Sequence, residues 1–304
     1  MIGKRRAFLF LVNDRAGAGG ARAMDAARRA QEVCRASGCR AERAACATVG
    51  DARDRVRRLA PDTIPVAVGG DGTANLLVRA LRDEGCGSRV AGLLPAGTGN
   101  ALAHSLGLGK MDVAVAALVA GEARELDILT TTHPEAPVVL VSLSAGFEAR
   151  FLRHLAAGRR SSRLWSAGVG LALFFGRTTR GVRLVADGEE LLAPEARFYS
   201  AGIYNMPCYA FGREAIPDAD PSDGLAHAIV HESRGPYWRA LGVAAGGRNS
   251  ASMRRRAFRR ARMETTGPVQ VDGESVGPGA FEVSVEAAAI RILVPAGPGY
   301  MRDA

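Results

Sequence analysis

The chain has 304 residues, 47% of them hydrophobic and 23% charged, which is typical of a folded protein long enough for two hydrophobic cores. Its net charge of +9 indicates an acidic partner such as nucleic acid, anionic lipid or a phosphorylated substrate. Five cysteines without a C-x-x-C spacing argue against a disulfide framework and against a zinc site. The uncharged stretch at residues 164–176 is shorter than the roughly 20 residues that span a bilayer.

The first part of the chain alternates apolar runs with helical patterns. The first apolar run, Ala7–Val12, is typical of a strand buried on both faces of a parallel sheet. This alternation predicts a doubly wound α/β domain with its ligand crevice at the carboxyl ends of the strands. The other predicted strands cover residues 41–48, 64–68 and 89–94, and the predicted helices cover 20–37, 51–59, 74–84, 101–108 and 113–120.

The pattern changes after residue 125. Short apolar or alternating runs, separated by Gly, Pro and Asp, predict antiparallel strands in a β-sandwich or flattened barrel. We therefore expect an α/β domain over residues 1–126, to which about 293–304 return, and an all-β domain over 127–292. The predicted β-domain strands cover 138–143, 196–204, 226–230, 269–271, 281–285 and 290–294, with a helical insertion at 151–175.

Two glycine-rich loops each follow a predicted strand and precede a predicted helix. The first, GGDGT at residues 69–73, has three glycines in four positions, and amides ahead of a helix N-terminus favour an anion such as phosphate. Asp71 would repel a phosphate unless a cation such as Mg²⁺ reverses the local field. Turn chemistry alone explains such a loop equally well. The second, LPAGTGN at residues 94–100, favours the phosphate-binding interpretation.

This pair of loops resembles the nucleotide-binding loops of the diacylglycerol kinase catalytic-domain superfamily, which includes bacterial soluble lipid kinases and sphingosine kinases. Further matches lie at Asn13, Thr48, 126–127, 146–149, 217–225 and 271–274. The resemblance implies an ATP- and Mg²⁺-dependent kinase that transfers the γ-phosphoryl group to a lipid hydroxyl of diacylglycerol or a sphingoid-like lipid. It also implies that the α/β domain at 1–126 binds the nucleotide and that the all-β domain at 127–292 binds the lipid substrate. It assigns the nucleotide site to Asn13, Thr48, Gly69, Gly70, Asp71, Gly72, Thr73, Gly97, Thr98, Gly99, Asn100 and Glu274.

The same resemblance makes Asp272 the favoured general base, with Asp71 as its competitor. Phosphoryl transfer needs positioning, charge neutralisation and an acceptor for the proton of the lipid hydroxyl. The Asp-Gly pair at residues 272–273 is equally typical of a hairpin turn.

The segment DPSDGL at residues 220–225 offers oxygen ligands for a hard cation. By resemblance Asp220, Asp223 and the carbonyl of Leu225 bind a structural metal. The alternative is a solvated acidic turn.

Three departures from the family pattern leave the acceptor lipid open. Leu76 replaces a usual Glu, Ala101 and Leu102 are similar to the sphingosine kinases, and Asp14 replaces a usual Pro. Two alternatives therefore remain: a NAD kinase-like enzyme, whose superfamily shares the Gly-Gly-Asp-Gly turn, and a catalytically silent lipid- or nucleotide-binding protein.

Arginines cluster at residues 254–262 with a spacing that suits one to two helical turns. This cluster predicts contact with an anionic membrane surface, and a solvated face is the alternative. No nucleic-acid recognition motif accompanies it. We expect a cytoplasmic protein, peripherally associated with membranes, that acts on a lipid substrate at the membrane surface; a homodimer is possible.

Overall fold

The computed structural model describes residues 6–13, 18–157, 178–209, 212–240 and 253–297. The chain divides into two compact units. The first unit comprises Met1–Asp127, Ala210–Gly212 and Ala288–Ala304, and the second comprises Ile128–Tyr209 and Arg213–Ala287. Among the described residues, no helix is long and apolar enough to cross a membrane.

The first unit contains the predicted parallel sheet, in the order β2-β1-β3-β4. Its central strands are buried along their middle residues, as expected for a sheet covered on both faces. The strands are β1 (Ala7–Val12), β2 (Arg40–Ala45), β3 (Thr63–Gly69) and β4 (Val90–Pro95). The helices are α1 (Ala18–Ala36), α2 (Val49–Arg57), α3 (Asp71–Asp83), α4 (Ala101–Ser105) and α5 (Met111–Ala120). The predicted doubly wound arrangement is confirmed.

The second unit is built from antiparallel strands, as predicted. Six of them form one sheet in the order β14-β13-β10-β7-β16-β17. Its strands are β7 (Ser142–Gly146), β10 (Ser200–Tyr204), β13 (Ala226–His231), β14 (Met253–Phe258), β16 (Val269–Val271) and β17 (Glu274–Val276). The remaining strands are β5 (Glu122–Thr131), β6 (Val138–Val139), β8 (Val182–Ala186), β9 (Glu189–Leu192), β11 (Cys208–Tyr209), β12 (Arg213–Glu214), β15 (Arg260–Thr265) and β18 (Gly279–Val294). Two helices, α6 (Phe147–Ala157) and α7 (Arg234–Ala240), belong to this unit.

One hydrophobic core fills the second unit. It takes Leu143, Ile203 and Val230 from the six-stranded sheet, and Leu184 and Met263 from β8 and β15. Two layers of strands therefore share a core, which is the sandwich arrangement expected from the sequence.

Two expectations about this unit need correction. The arginine cluster is not helical: it lies on β14 and β15, because burial alternates along β15 with period two and Phe258, Ala261 and Met263 point inward. The runs at 281–285 and 290–294 form the single strand β18, whose Ala288 has φ 51° and donates its N–H to Asp127 at 2.8 Å. Helix α6 covers 147–157, while the rest of the predicted helical insertion lies outside the described residues.

Candidate nucleotide site

The predicted nucleotide residues of the first unit lie at one edge of its sheet. Val12 is in register with Ala45 and Val68, and Val68 is in register with Leu94. Asn13, Thr48 and the two glycine-rich loops follow these four parallel strands, so the fold brings their backbones to the same edge, where α/β sheets bind ligands.

The first loop leads directly into α3. Its N-cap is Gly70, which has no side chain to cap the first-turn amides, and Gly70 O accepts hydrogen bonds from the N–H groups of Thr73 and Ala74 at 3.0 and 3.1 Å. Such a terminus offers amides and the positive end of the helix dipole to an anion. Gly69 is needed for packing within the loop, because a Cβ there would lie 2.2 Å from Thr73 Oγ1, closer than non-bonded atoms can approach.

The second loop packs against the first. A Cβ on Gly97 would lie 2.4 Å from Gly70 Cα, and Ala96 N–H donates to Gly69 O at 2.9 Å. Asn100 closes its own loop, because its Oδ1 accepts from Gly97 N–H and its Nδ2 donates to Gly97 O, at 2.9 and 3.0 Å. Thr98 is exposed and Gly99 is partly exposed. The glycines thus allow the two loops to pack closely against each other. The sequence predicts ligand binding by the same glycines, and their spacing alone does not reveal the contact between the loops.

Asp71 joins the two loops. Its carboxylate accepts hydrogen bonds from the N–H groups of Ala101 and Leu102, at 3.0 and 2.9 Å. It therefore caps α4, whose N-cap Asn100 makes no side-chain cap of its own. Burial raises the pKa of Asp71, and the bonds from these amides oppose that rise. Capping across the two loops could not be predicted from the local sequence of either.

Thr48 is the N-cap of α2. Its hydroxyl accepts from Asp51 N–H at 3.1 Å, and the Asp51 carboxylate accepts from Thr48 N–H at 3.0 Å, so the two residues form a capping box. Asp51 is not among the predicted site residues, although the T-x-x-D spacing that ends at Asp51 is the pattern of a capping box. Asn13 lies at the end of β1 and is partly buried.

Asp272 and Glu274 belong to the second unit. Val271 pairs with Glu274, so Asp272 and Gly273 form the two-residue turn of a hairpin, both with positive φ, 47° and 88°. The Asp272 carboxylate accepts from the main-chain N–H groups of residues 140, 141 and 142 at 2.9, 2.8 and 3.1 Å. It is thus held rigidly, while Glu274 is exposed.

The predicted metal ligands form a turn closed by its own hydrogen bonds. Asp220 Oδ1 accepts from the N–H and hydroxyl of Ser222 at 3.0 and 2.6 Å, and Asp223 Oδ1 accepts from Leu225 N–H at 2.8 Å. In the part of the chain that the structure describes, no group of three or more His, Cys, Asp or Glu side chains could hold a metal ion. This geometry suits the acidic-turn alternative.

The arginine cluster is largely neutralised. Arg254 pairs with Glu232 at 2.9 Å, Arg255 with Asp218 at 2.9 Å, and Arg256 with Glu189. Arg262 likewise pairs with Glu264 and Glu282 at 2.8 and 3.0 Å. The side chains of Arg259 and Arg260 are exposed, and their main-chain N–H groups bind the Asp187 carboxylate.

Comparison with known proteins supports the resemblance. Residues 7–131 match the family model described as the diacylglycerol kinase catalytic domain. A protein of Pseudomonas aeruginosa named "Probable lipid kinase YegS-like" is 28% identical over 249 residues, which cover 78% of each chain.

Solved structures show the same fold. A putative diacylglycerol kinase from Bacillus anthracis superposes with a TM-score of 0.67 at 17% identity, covering 96% of this chain and 98% of that one. A NAD kinase from Archaeoglobus fulgidus in complex with ATP has a TM-score of only 0.47 at 12% identity, covering 98% of this chain and 96% of that one. The second likeness carries no argument about this chain.

Proposed function

We propose that this chain, whose residues 7–131 match the diacylglycerol kinase catalytic domain, transfers the γ-phosphoryl group of ATP to a hydroxyl of a lipid. The observation that carries this proposal is the open N-terminus of α3 beside the second glycine-rich loop. Both features lie at the carboxyl edge of the parallel sheet, where a nucleotide phosphate is expected.

The residues of the first unit would bind the nucleotide through main-chain groups. The first-turn amides of α3 would donate to phosphate oxygens, and the contact between Gly70 and Gly97 would fix the loops around them. Asp71 would act on this site by holding α4 in place, since its carboxylate is engaged by Ala101 and Leu102. Bound ATP would supply the phosphoryl group.

Mg²⁺ is proposed as the ion that accompanies the ATP phosphates. Mg²⁺ is usually held through one or two carboxylates together with substrate phosphates, and it keeps several waters. This expectation differs from the structural metal predicted at Asp220, Asp223 and the Leu225 carbonyl, which stays a separate prediction.

Asp272 is our proposed general base. Its three main-chain donors hold the carboxylate in one orientation, and pre-organised geometry is what a base needs in order to receive a proton from a hydroxyl. Asp71 remains the alternative. Main-chain amides engage both carboxylates, two at Asp71 and three at Asp272, so it is the family resemblance that favours Asp272 as the base.

The acceptor lipid implies work at a membrane surface, and we propose a peripheral association in which Arg259 and Arg260 contact anionic lipid. These two side chains are exposed, whereas Arg254, Arg255 and Arg256 have acidic partners. Basic residues near an anionic surface gain about 1 kcal/mol each.

A direct test is transfer of labelled γ-phosphate from ATP, with Mg²⁺, to three acceptors offered separately: diacylglycerol in vesicles, sphingosine in vesicles, and NAD. Product from either lipid supports the proposal. Product from NAD alone would establish the NAD kinase-like alternative. Binding of ATP and lipid without any transfer, over a series of divalent metals, would establish the silent binding protein.

A further inference from the structure

The helix α1 of the first unit ends in a Schellman motif that contains two cysteines. Gly38 has φ 80°, and its N–H donates to Arg35 O at 2.9 Å. The next N–H, that of Cys39, donates to Cys34 O, also at 2.9 Å. A left-handed glycine between these two bonds defines the motif, which satisfies carbonyl groups that a helix end otherwise leaves without partners. It turns the chain into β2, which begins at Arg40.

The ends of α3 and α4 repeat this motif. Cys86 N–H donates to Leu81 O and Leu108 N–H donates to Ala103 O, both at 2.7 Å, and the residue before each donor is again a glycine with positive φ. In a Schellman motif the side chains of the two residues that this bond joins commonly contact each other. At α3 and α4 each such pair includes a leucine, whereas at α1 both members are cysteines.

The backbone holds these two cysteines close enough for a disulfide. The bond of 2.9 Å from Cys39 N–H to Cys34 O, combined with standard bond lengths, limits the separation of their Cα atoms to at most about 6.8 Å. Disulfides join residues whose Cα atoms are about 4.4–6.8 Å apart. The two thiols also interact electrostatically, because Cys39 contributes to the raised pKa of Cys34. The motif is therefore compatible with a disulfide between them.

The two thiols differ in their access to solvent. Cys34 is fully buried, whereas Cys39 is partly exposed. Burial, more than the neighbouring thiol, raises the pKa of Cys34 to about 11, so at neutral pH nearly all of Cys34 is the less reactive thiol form. An oxidant in solution therefore meets Cys39 first. Cys34, protected beside it, has the position of a resolving cysteine, which reacts with the sulfur that has been oxidised.

An apolar contact is the alternative role for this pair, because a free cysteine packs as a small hydrophobic residue. The motif at the end of α3 provides the comparison. Cys86 has the same position in its motif as Cys39 and is also partly exposed, but its partner is Leu81. The chain thus contains an equally placed cysteine that cannot form a disulfide with its motif partner.

We propose that Cys34 and Cys39 form a reversible disulfide when the protein meets hydrogen peroxide, and that this bond staples the end of α1. The Cys39 thiolate attacks one peroxide oxygen, the O–O bond breaks, and a sulfenic acid forms as water leaves. The Cys34 thiolate then attacks the Cys39 sulfur, so the S–S bond forms, the S–O bond breaks and a second water leaves. Two thiols are oxidised while one peroxide is reduced, and the thiol protons end in the two waters.

The disulfide would lie far from the candidate nucleotide site. Helix α1 follows the carboxyl end of β1 and leads into the start of β2, so Cys34 and Cys39 lie at the opposite edge of the sheet from the glycine-rich loops. We expect the bond to raise the melting temperature, because it restricts the unfolded chain. The inference does not use the kinase function proposed above, so the failure of one leaves the other untouched.

Peptide mapping after peroxide treatment tests the disulfide directly. Trypsin cleaves after Arg35, between the two cysteines, so the bond would join the separate peptides 30–35 and 36–40. The native protein is treated with hydrogen peroxide, remaining thiols are blocked with N-ethylmaleimide, and sulfenic acid is trapped in parallel with dimedone. Mass spectrometry should show the linked peptides after peroxide and their loss after dithiothreitol, and the linked protein should melt at a higher temperature.

Three variants assign the roles of the two thiols. In Cys34→Ala the linked peptides should be lost, and the dimedone adduct at Cys39 should increase about tenfold because the sulfenic acid is no longer resolved. Cys39→Ser should also lose the link, and it decides alone if Cys34→Ala does not fold, since Cys39 is partly exposed. Cys86→Ser is the matched control and should form the link as the unmodified protein does.

Several results would overturn the inference. Dimedone adducts at Cys39 of the unmodified protein without linked peptides would show that Cys34 does not resolve the sulfenic acid. Oxidation of Cys86 at a peroxide concentration that leaves Cys39 unmodified would leave the pair as an apolar contact. Linked peptides that form only in urea would show that the native motif keeps the two sulfurs apart, and a linked protein that melts no higher would remove the stapling role.

Discussion

The carboxylate of Asp71 accepts the main-chain N–H of Leu102 at 2.9 Å, which ties the first turn of α3 to the first turn of α4. The sequence predicts that Asp71 contacts phosphate and metal, and in the structure its carboxylate binds main-chain amides. Since its second oxygen accepts from Ala101, both glycine-rich loops depend on one side chain.

Asp71→Asn should weaken this link. Asparagine keeps one acceptor oxygen and turns an NH₂ group toward a main-chain N–H, so one buried donor loses its partner at a cost of about 1–3 kcal/mol. We expect a lower free energy of unfolding in urea and a higher KM for ATP. Asp112→Asn, at an exposed position in the first turn of α5, is the control and should change neither by a comparable amount. An unchanged KM for ATP in Asp71→Asn would contradict the positioning role.

Gly97→Ala tests whether the two loops must touch. The new Cβ would lie 2.4 Å from Gly70 Cα and 2.7 Å from Gly70 N, so the backbones must separate. Overpacking of this kind costs about 1–3 kcal/mol, and we expect phosphoryl transfer to fall at least tenfold. Gly267→Ala is the matched control, because a Cβ there meets nothing within 4 Å. Equal transfer rates in the two variants would show that loop contact is dispensable.

The fold was predictable where one periodicity dominated. Each central strand of the parallel sheet is a continuous apolar run, and β1 has the bounds expected for it, Ala7–Val12. The arginines of β14 and β15 were misassigned because Phe258 and Ala261 are three positions apart, which fits a helix, while Ala261 and Met263 are two apart, which fits a strand. Only pairing with β13 and β8 decides between the two.

The candidate site was predictable as a set of loops but not as a set of contacts. The glycine spacing located residues 69–73 and 94–100 at strand ends, since local patterns mark such turns. The bond from Leu102 to Asp71 spans 31 positions, and three amides near residue 141 converge on Asp272 from about 130 positions away. Such pairings depend on the sheet order, which no local pattern specifies.

The proposed membrane contact predicts a selective role for Arg259 and Arg260. Replacing either with Ser should reduce binding to vesicles that contain anionic phosphatidylserine by about fivefold, since each basic residue contributes about 1 kcal/mol. Arg255→Ser is the control, because Arg255 is already paired with Asp218 at 2.9 Å. Sedimentation with vesicles at two salt concentrations measures the effect. If Arg255→Ser binds as weakly as Arg259→Ser, the cluster acts only through its total charge.

Acid should destabilise the second unit through its buried histidines. The folded pKa of His231 and of His227 is about 4, below the ordinary value of 6.5, so between these pH values the unfolded chain binds more protons. Stability from this source is present above pH 6.5 and is lost as the pH falls toward 4, at up to about 1.4 kcal/mol per pH unit for each histidine. Glu148, whose pKa is raised, acts in the opposite direction. Urea unfolding of the unmodified protein and of His231→Phe at pH 5 and pH 7 measures this effect. Between pH 7 and pH 5 the variant should lose less free energy of unfolding than the unmodified protein. An equal loss in both proteins would contradict this account.

Asp272 can be tested as the general base because the chain holds a second aspartate in the same structural setting. Asp187 also begins an Asp-Gly turn, has φ 45°, and accepts main-chain N–H bonds from Arg259 and Arg260 at 3.1 and 3.0 Å. Asp187→Asn and Asp272→Asn should each lose about 1–3 kcal/mol of stability, since each leaves a main-chain donor facing an amide. Only Asp272→Asn should lower kcat by the roughly 10²–10⁴-fold that a general base contributes. Measuring kcat well below both melting temperatures removes the stability difference, and equal kcat values in the two variants would transfer the base role to Asp71.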